Sequence, residues 1–529
     1  MNMYTIGDAI GEHARSQPDA LAFWSPRATW SFSELEDAAC RVAQGLREQG
    51  ITLGDRVACL TKHTAECVVL TLAANKVGAV CMPVNWRLAA GEIEYIVNNG
   101  QARLMLVDQA FADVLDHVNA PTLELELCTE TSLATDAGVR AGFRQWMATF
   151  ERINDPVRPA PHDTALQLYS SGTTGLPKGV ELTHANLAAG ILGTIPESLG
   201  YNGPPDVMLN VLPTYHIAGV GIGLLTASRG GYSVLYPDFA PSGVIAAIAE
   251  HNITHAFLVP AMIQFLLQSP EVGTGDYSTL RAISYGASPI TQSVLLGGMS
   301  TFKCDFAQVY GLTETTGSVT ALPAEDHDPN GPREYLLRSA GKALQGVEIL
   351  VVDTDSGEPC ADGDVGEVWI RTHQNMKGYW ANEEATREAF VLRKGESAPW
   401  FRSGDAGYMR DGYVFMHDRI KDMIVSGGEN IYPAEIENAL MQHPDVADGA
   451  VIGVPDADWG EAVKACVVLA PRASTTEDDI VGFLRQRIAH FKCPRSVTFI
   501  DEIPRNPTGK ILKRVLREPY WEGVERHVN

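Results

Sequence analysis

Four stretches of this 529-residue chain combine residue types that could act on a phosphate ester. The first runs Leu168-Tyr169-Ser170-Ser171-Gly172-Thr173-Thr174-Gly175-Leu176-Pro177-Lys178-Gly179-Val180. Glycines let backbone N–H groups come close to phosphate oxygens, hydroxyls add donors, and Lys178 adds a compact positive charge. The spacing is not that of a Walker A loop, in which Gly-Lys is followed by Ser or Thr; here Lys178 follows Pro177 and precedes Gly179. The second stretch is Tyr310-Gly311-Leu312-Thr313-Glu314. A carboxylate beside a polyphosphate needs a cation between them, and magnesium is satisfied by one or two carboxylates plus phosphate oxygens. The third, Trp400-Phe401-Arg402-Ser403-Gly404-Asp405, sets a carboxylate after a Ser-Gly turn. The fourth, Pro504-Arg505-Asn506-Pro507-Thr508-Gly509-Lys510, places a lysine in a loop composition rather than on a solvated helix face. Taken singly, each has a plainer explanation: a surface turn, a Thr-Glu helix cap, a core tyrosine, a Gly-Asp turn, an exposed lysine.

The elements that must hold these stretches follow from hydrophobic periodicity. Residues 32–46 have apolar positions at helical spacing, 55–60 read as a short buried strand, and 65–77 as another apolar helix. Core strands are expected again at 165–169, 207–212, 232–236, 256–259 and 282–285. Strands separated by helices mean βαβ units and a largely parallel sheet. From about residue 340 the texture changes to strands joined by Gly/Asp turns, as in 347–353 and 366–371, which predicts a small β-rich subdomain. After Asp418-Arg419-Ile420-Lys421 come a helix opening on Pro433, strands at 450–454 and 463–469, and a helix over 477–490. The expected fold is therefore α/β: an N-terminal domain (1–418) of mixed, largely parallel sheets flanked by helices, with its β-rich subdomain at about 340–418. A smaller α+β C-terminal domain (422–529) follows a hinge at 419–421.

The four stretches, in this order, resemble the signatures of the adenylate-forming superfamily, which includes acyl- and aryl-CoA synthetases, peptide-synthetase adenylation domains and luciferases. Tyr413–Ile424 resembles its hinge region, and Ser426-Gly427-Gly428-Glu429-Asn430 follows as expected. The resemblance implies that Ser170, Ser171, Gly172, Thr173, Thr174 and Gly175 cradle the phosphates of ATP with Lys178. It implies that Glu314 and Thr174 hold Mg²⁺, and that Thr313 contacts the α-phosphate. Gly286 and Ala287 would flank adenine, Tyr310 with Gly311 would offer it a flat face, and Asp405 with Arg419 would take the ribose hydroxyls. His216 would stand where the acyl pocket meets the α-phosphate. Lys510 would stabilise the transition state as a carboxylate attacks the α-phosphate. Lys421 would be the pivot about which a mobile C-terminal domain turns between two half-reactions, and Gly427 and Gly428 would line the path of the pantetheine thiol.

The implied activity is that of an acid–thiol ligase of the AMP-forming acyl-CoA synthetase type. A carboxylate and ATP give an acyl-adenylate and pyrophosphate, and coenzyme A then takes the acyl group. An acyl-AMP ligase that loads an acyl carrier protein is the alternative. Amino-acid-activating relatives carry an aspartate near His216-Ile217, and its absence points to an acid without an α-amino group. The wholly apolar run 217–225 predicts a fatty or aryl tail, which would place the chain in fatty acid metabolism.

Composition narrows the partners. With 41 Lys+Arg against 65 Asp+Glu, the net charge is −24, against a nucleic-acid coat. Residues 485–526 run the other way, with ten basic residues against five acidic ones, a basic patch that could meet anionic ligands. No stretch reaches the roughly 18–20 apolar residues of a membrane span, and the N-terminus lacks a secretory pattern, so a cytoplasmic protein is expected, with room for a homodimer. Nine cysteines without a C-x-x-C pair fit reduced, buried thiols.

Overall fold

Two helices show how closely local pattern becomes structure. Phe32–Glu48 starts where Ser31 and Glu34 bond reciprocally to each other's backbone N–H, and it buries Leu35, Ala38, Ala39, Val42 and Leu46 on one face. Ala65–Val77 is apolar nearly all round and is buried on nearly every side, ending on Gly78 at φ +77°. The computed structural model describes residues 4–130, 132–135, 138–170, 176–427, 429–456, 459–505 and 511–521.

Among the described residues the strands form four sheets. The first, of nine strands, has a parallel centre made of Tyr232–Leu235, Val207–Asn210, His255–Leu258, Ala282–Gly286 and Asp305–Leu312. It becomes antiparallel where Asp305–Leu312 turns back through Gly317–Leu322. The second, also of nine strands, is parallel from Thr164–Ser170 through Val80–Pro83, Arg56–Leu60 and Ala102–Val107. It then adds Lys178–Thr183 and Gly378–Tyr379 antiparallel at its edge. The third is the expected β-rich stretch, with Val347–Val352, Gly366–Thr372, Trp400–Arg410 and Tyr413–Arg419 in antiparallel pairs. That stretch is not self-contained, because Gly378–Tyr379 leaves it to join the second sheet. The fourth pairs Val446–Asp456 with Gly460–Leu469 and has its own buried cluster, from Ile424 to Val497, none of whose members belongs to the main cluster of Ile6 to Val414.

The α/β fold with a smaller C-terminal unit is thus as expected. One helix differs: the helix expected over 477–490 ends at Arg485, and a separate short turn covers His490–Lys492. Its buried face, Ile480, Val481 and Leu484, is complete at that point, so only the first part of the stretch has an apolar stripe to bury. All nine cysteines are free thiols and seven are buried. Among the described residues no helix is long and apolar enough to cross a membrane.

Candidate active site

The first stretch is bracketed by two antiparallel strands. Thr164–Ser170 leads in, Lys178–Thr183 leads out, and Ser170 lies opposite Lys178. Unlike a Walker A loop, the segment does not open a helix. Ser171, Gly172, Thr173, Thr174 and Gly175 lie outside the described residues, as do Gly428 and Lys510.

Glu314 is presented by a tight turn, Thr313–Thr315, at the end of the Asp305–Leu312 strand. The fully buried Thr315 hydroxyl closes that turn, accepting from Leu312 N–H at 2.9 Å and lying 2.8 Å from the Gly317 carbonyl. The Glu314 Oε1 atom accepts from the Ser170 hydroxyl at 3.1 Å and from the Tyr379 phenol at 3.1 Å. Among the described residues Glu314 has no ion-pair partner within 4 Å. A partly buried carboxylate held only by hydroxyls keeps lone pairs free for a hard cation, so the donor set fits magnesium. Thr313 opens the same turn.

Tyr379 has no place in the sequence motifs, yet it ties two of them together. Its ring lies under the Lys178 ammonium, 5.1 Å from Nζ to the centroid, while its hydroxyl holds Glu314. Backbone bonds from Met376 N–H to the Glu314 carbonyl (2.7 Å) and from Trp380 N–H to the Gly179 carbonyl (2.7 Å) fix the same segment to both. A two-residue strand has too little period to read, and only the Gly378-Tyr379-Trp380 composition could have drawn attention to it. A hydrogen bond to a charged group contributes about 1.5–3 kcal/mol. Tyr379→Phe should therefore lower kcat/KM for ATP roughly ten- to hundredfold. Pyrophosphate release titrated with Mg²⁺ checks this, and the loss should be greatest at low Mg²⁺.

The second and third stretches meet in one clamp. Asp405 is 7% exposed; its Oδ2 accepts from the Tyr310 hydroxyl at 2.7 Å and its Oδ1 from Arg419 Nε at 2.7 Å. Arg419 also donates to the Ser403 carbonyl at 3.1 Å, and the Ser403 hydroxyl accepts from Asp405 N–H at 3.0 Å. Burial, reinforced by the Asp405 charge, pushes the Tyr310 phenol up, and the Asp405 carboxylate pushes the Arg419 guanidinium up. Both oxygens of Asp405 keep a second lone pair, which is what two adjacent hydroxyls would need.

Gly286 and Gly311 have reasons of their own. A Cβ on Gly286 would sit 2.3 Å from the Val309 carbonyl oxygen, and one on Gly311 would sit 1.9 Å from the Gly317 oxygen. Both allow backbones to close around the turn that presents Glu314. Ala287 follows at φ +68°, an uncommon conformation for an L-residue and of the kind that collects at ligand sites. Gly427, at φ +62°, lies against the Trp459 ring, which a Cβ would meet at 2.3 Å. Lys421 is exposed on the short turn Ile420–Asp422.

His216 caps the apolar helix Ile217–Ser228, with its ring 4.6 Å from that of Tyr215. Its Nε2 is buried and finds no hydrogen-bond partner among the described residues. Burial, with help from the Arg87 charge, lowers its pKa to about 4, so the ring is neutral at physiological pH. The helix that it caps starts among apolar side chains. A Cβ at Gly317 would lie 3.4 Å from Ile195 and 3.9 Å from Ile217, and one at Gly221 would lie 3.9 Å from Ile191 and Ile217. Ile191 belongs to a π-helical turn, Ala188–Thr194, a feature frequent at functional sites.

His63 and His184, both buried, are likewise lowered to about 4, each by burial. Between pH 6.5 and 4 the unfolded chain binds protons at these three histidines that the folded chain refuses. Stability is then full above about pH 6.5 and falls as pH drops toward 4, by up to about 3 kcal/mol per histidine. Thermal melting across that range should show a midpoint that falls with acid, and His63→Gln should flatten the slope.

Four basic residues of the stretch near the C-terminus are held in ion pairs, one of them reaching back to Asp418 ahead of the hinge. Lys492 pairs with Glu435, Arg505 with Asp448, Lys513 with Asp418 and Glu437, and Arg517 with Asp422, at 2.7–3.1 Å.

This arrangement sets a strand hairpin carrying Ser170 and Lys178, a glutamate held only by hydroxyls, and a buried carboxylate near an apolar cluster. The sequence profile described as "AMP-binding enzyme" matches residues 10–380, and that of the "AMP-binding enzyme C-terminal domain" matches 435–510. The chain belongs to the AMP-binding enzyme family. It is an adenylate-forming ligase of that superfamily, and ATP is its nucleotide substrate. Among relatives, it is 37% identical to the fatty acid–[acyl-carrier-protein] ligase ScoC of Streptomyces coeruleorubidus, over all of this chain and 98% of that one. It is 35% identical to the long-chain-fatty-acid–CoA ligase FadD13 of Mycobacterium tuberculosis, over 99% of this chain and all of that one. The ATP-bound crystal structure of MatB from Rhodopseudomonas palustris superposes with a TM-score of 0.87 at 31% identity, covering 98% of this chain and 99% of that one.

Proposed function

We propose that this AMP-binding enzyme is a carboxylate–CoA ligase for an apolar acid, a fatty acid or an aryl acid. The observation that carries the reading is the apolar cluster of Ile191, Ile195 and Ile217 around Gly221 and Gly317, next to the Glu314 turn and at the start of the helix that the neutral His216 caps. Ile217 opens the helix Ile217–Ser228, in which every residue from Gly219 onward is buried. A hydrocarbon tail gains roughly 25 cal/mol for each Å² it buries there.

In this reading Tyr310, Asp405 and Arg419 hold the nucleoside, while Lys178 and the hydroxyl loop hold the phosphates. Glu314, with Thr174, would hold a magnesium ion, which when bound neutralises polyphosphate charge. The acid's carboxylate oxygen attacks the α-phosphorus and pyrophosphate leaves; Lys510 stabilises the charge that builds there. In the second half-reaction the thiol sulfur bonds to the acyl carbon, the acyl–O bond breaks, and AMP leaves with the oxygen that came from the acid. Neutral His216 brings no charge of its own to an apolar chain that lies along this cluster. Lys421 serves as the pivot between the two steps, with 1–418 and 422–529 as the units that turn.

The likeness to ScoC favours a second reading, in which the acceptor is the phosphopantetheine of an acyl carrier protein. A panel of fatty and aryl acids with ATP, Mg²⁺ and either CoA or a purified holo-acyl carrier protein, read by mass, separates the two. The first reading predicts acyl-CoA from at least one apolar acid. Acylation of the carrier alone would establish the second, and no thioester on either acceptor would overturn both.

A further inference from the structure

The helix Lys513–Trp521 begins three residues after Lys510 and lies against the hinge. Lys513 and Arg517, four residues apart, share one face of it. Lys513 is 8% exposed, and its ammonium meets Asp418 Oδ2 at 2.8 Å and Glu437 Oε1 at 3.1 Å. Burial draws that ammonium's pKa down, but the Glu437 and Asp418 carboxylates more than offset it, and the group stays charged. Arg517 meets Asp422 at 2.7 Å and the Lys421 carbonyl at 3.4 Å.

These contacts divide at Lys421. Glu437, Asp422 and the helix all follow it in the chain, so they turn together. Asp418 precedes it, on the strand Tyr413–Arg419, whose next residue is the Arg419 that grips Asp405. Two donors from beyond the pivot converge on Asp418: the Lys513 ammonium, and the Ala434 N–H at 3.2 Å in the first turn of the helix Pro433–Leu440. Rotation about Lys421 carries Lys513 and Glu437 away as a pair and leaves Asp418 behind.

We propose that Lys513 is a positioning residue whose ion pair with Asp418 latches the C-terminal unit in the orientation that serves adenylation, and must part before thiol transfer. This rests on the two-step reading above. The anchoring fits it. Arg505 and Ile511, on either side of the segment containing Lys510, pair with each other, and Leu512 N–H bonds the Pro504 carbonyl at 2.8 Å. Asp448 takes both of its bonds from the Arg505 guanidinium. Arg505 and Ile511, the described residues that flank this segment, therefore belong to the same unit that the latch orients.

Asp418→Asn and Glu437→Gln each remove one carboxylate from Lys513, but only the first crosses the pivot. Pyrophosphate exchange measures adenylation; AMP release from a supplied acyl-adenylate with thiol measures transfer. Asp418→Asn should move the ratio of the two rates about tenfold toward transfer, and Glu437→Gln should leave that ratio within about threefold whatever its effect on melting. Lys513→Met should behave as Asp418→Asn does, and Lys513→Arg should restore the ratio. Hydrogen exchange of the ligand-free protein gives a readout that needs no substrate: amides 419–424 should exchange about tenfold faster in Asp418→Asn than in Glu437→Gln. Equal ratios and equal exchange in the two variants would overturn the latch. A wild type that forms no adenylate would instead overturn the functional reading, and that is seen before any variant is compared.

Discussion

Lys510→Ala should lose adenylation by a factor of roughly 10²–10³ and still convert a supplied acyl-adenylate to thioester at close to the wild-type rate. As the acid's oxygen bonds to the α-phosphorus, negative charge builds on the equatorial oxygens. In the proposed reading a lysine that meets this charge would act mainly on that transition state, because ground-state charge would be met by Lys178 and a magnesium ion. Once the adenylate exists, no such charge develops at phosphorus, so thiol attack does not call on Lys510. The pairing of Arg505 with Ile511 and the Arg505–Asp448 ion pair fix both ends of its segment. Pyrophosphate exchange and single-turnover thioester formation, measured on the same preparation, check the split. Equal loss in both steps would deny Lys510 its role.

Asp405→Ala should cost ATP binding and adenylation together, with kcat/KM for ATP down roughly 10²–10³-fold. Asp405 accepts from both Tyr310 and Arg419. In the proposed reading its removal takes away the acceptor for two ligand hydroxyls, and it leaves the half-buried Arg419 cation without its carboxylate. Breaking one side of a buried charge pair costs about 3–5 kcal/mol. Asp405→Asn should retain part of the activity, because it keeps an acceptor for Tyr310. Deoxy analogues give the sharper test: 2′-deoxy-ATP should discriminate against the wild type and much less against Asp405→Ala.

Much of this could be read from the chain, and what could not had a physical reason. The helices 65–77 and 433–440 fall where the pattern put them, because their apolar stripes and caps are local facts. The Tyr310–Asp405–Arg419 clamp joins residues that were each singled out, although no spacing in the sequence shows that a phenol and a guanidinium share one carboxylate. The strand Leu21–Ser25 was not foreseen in the first sheet. It pairs in parallel with Tyr232–Leu235, some two hundred residues away, and nothing in its own composition selects that partner. Tyr379 went unread because its strand is two residues long and its value lies entirely in what it touches. The net basic charge of the C-terminal stretch was legible only as a sum. Counting charges shows an excess but not that Lys492, Arg505, Lys513 and Arg517 are each already paired.

The most direct test of the whole account follows one oxygen atom. The wild-type protein is given ATP, Mg²⁺, CoA and an apolar acid that it accepts in the panel, labelled with ¹⁸O in both carboxylate positions, and the nucleotide product is weighed. If the acid attacks the α-phosphorus and the thiol then displaces AMP, the AMP carries one ¹⁸O and the thioester retains the other. Unlabelled AMP, or ADP in its place, would contradict the account.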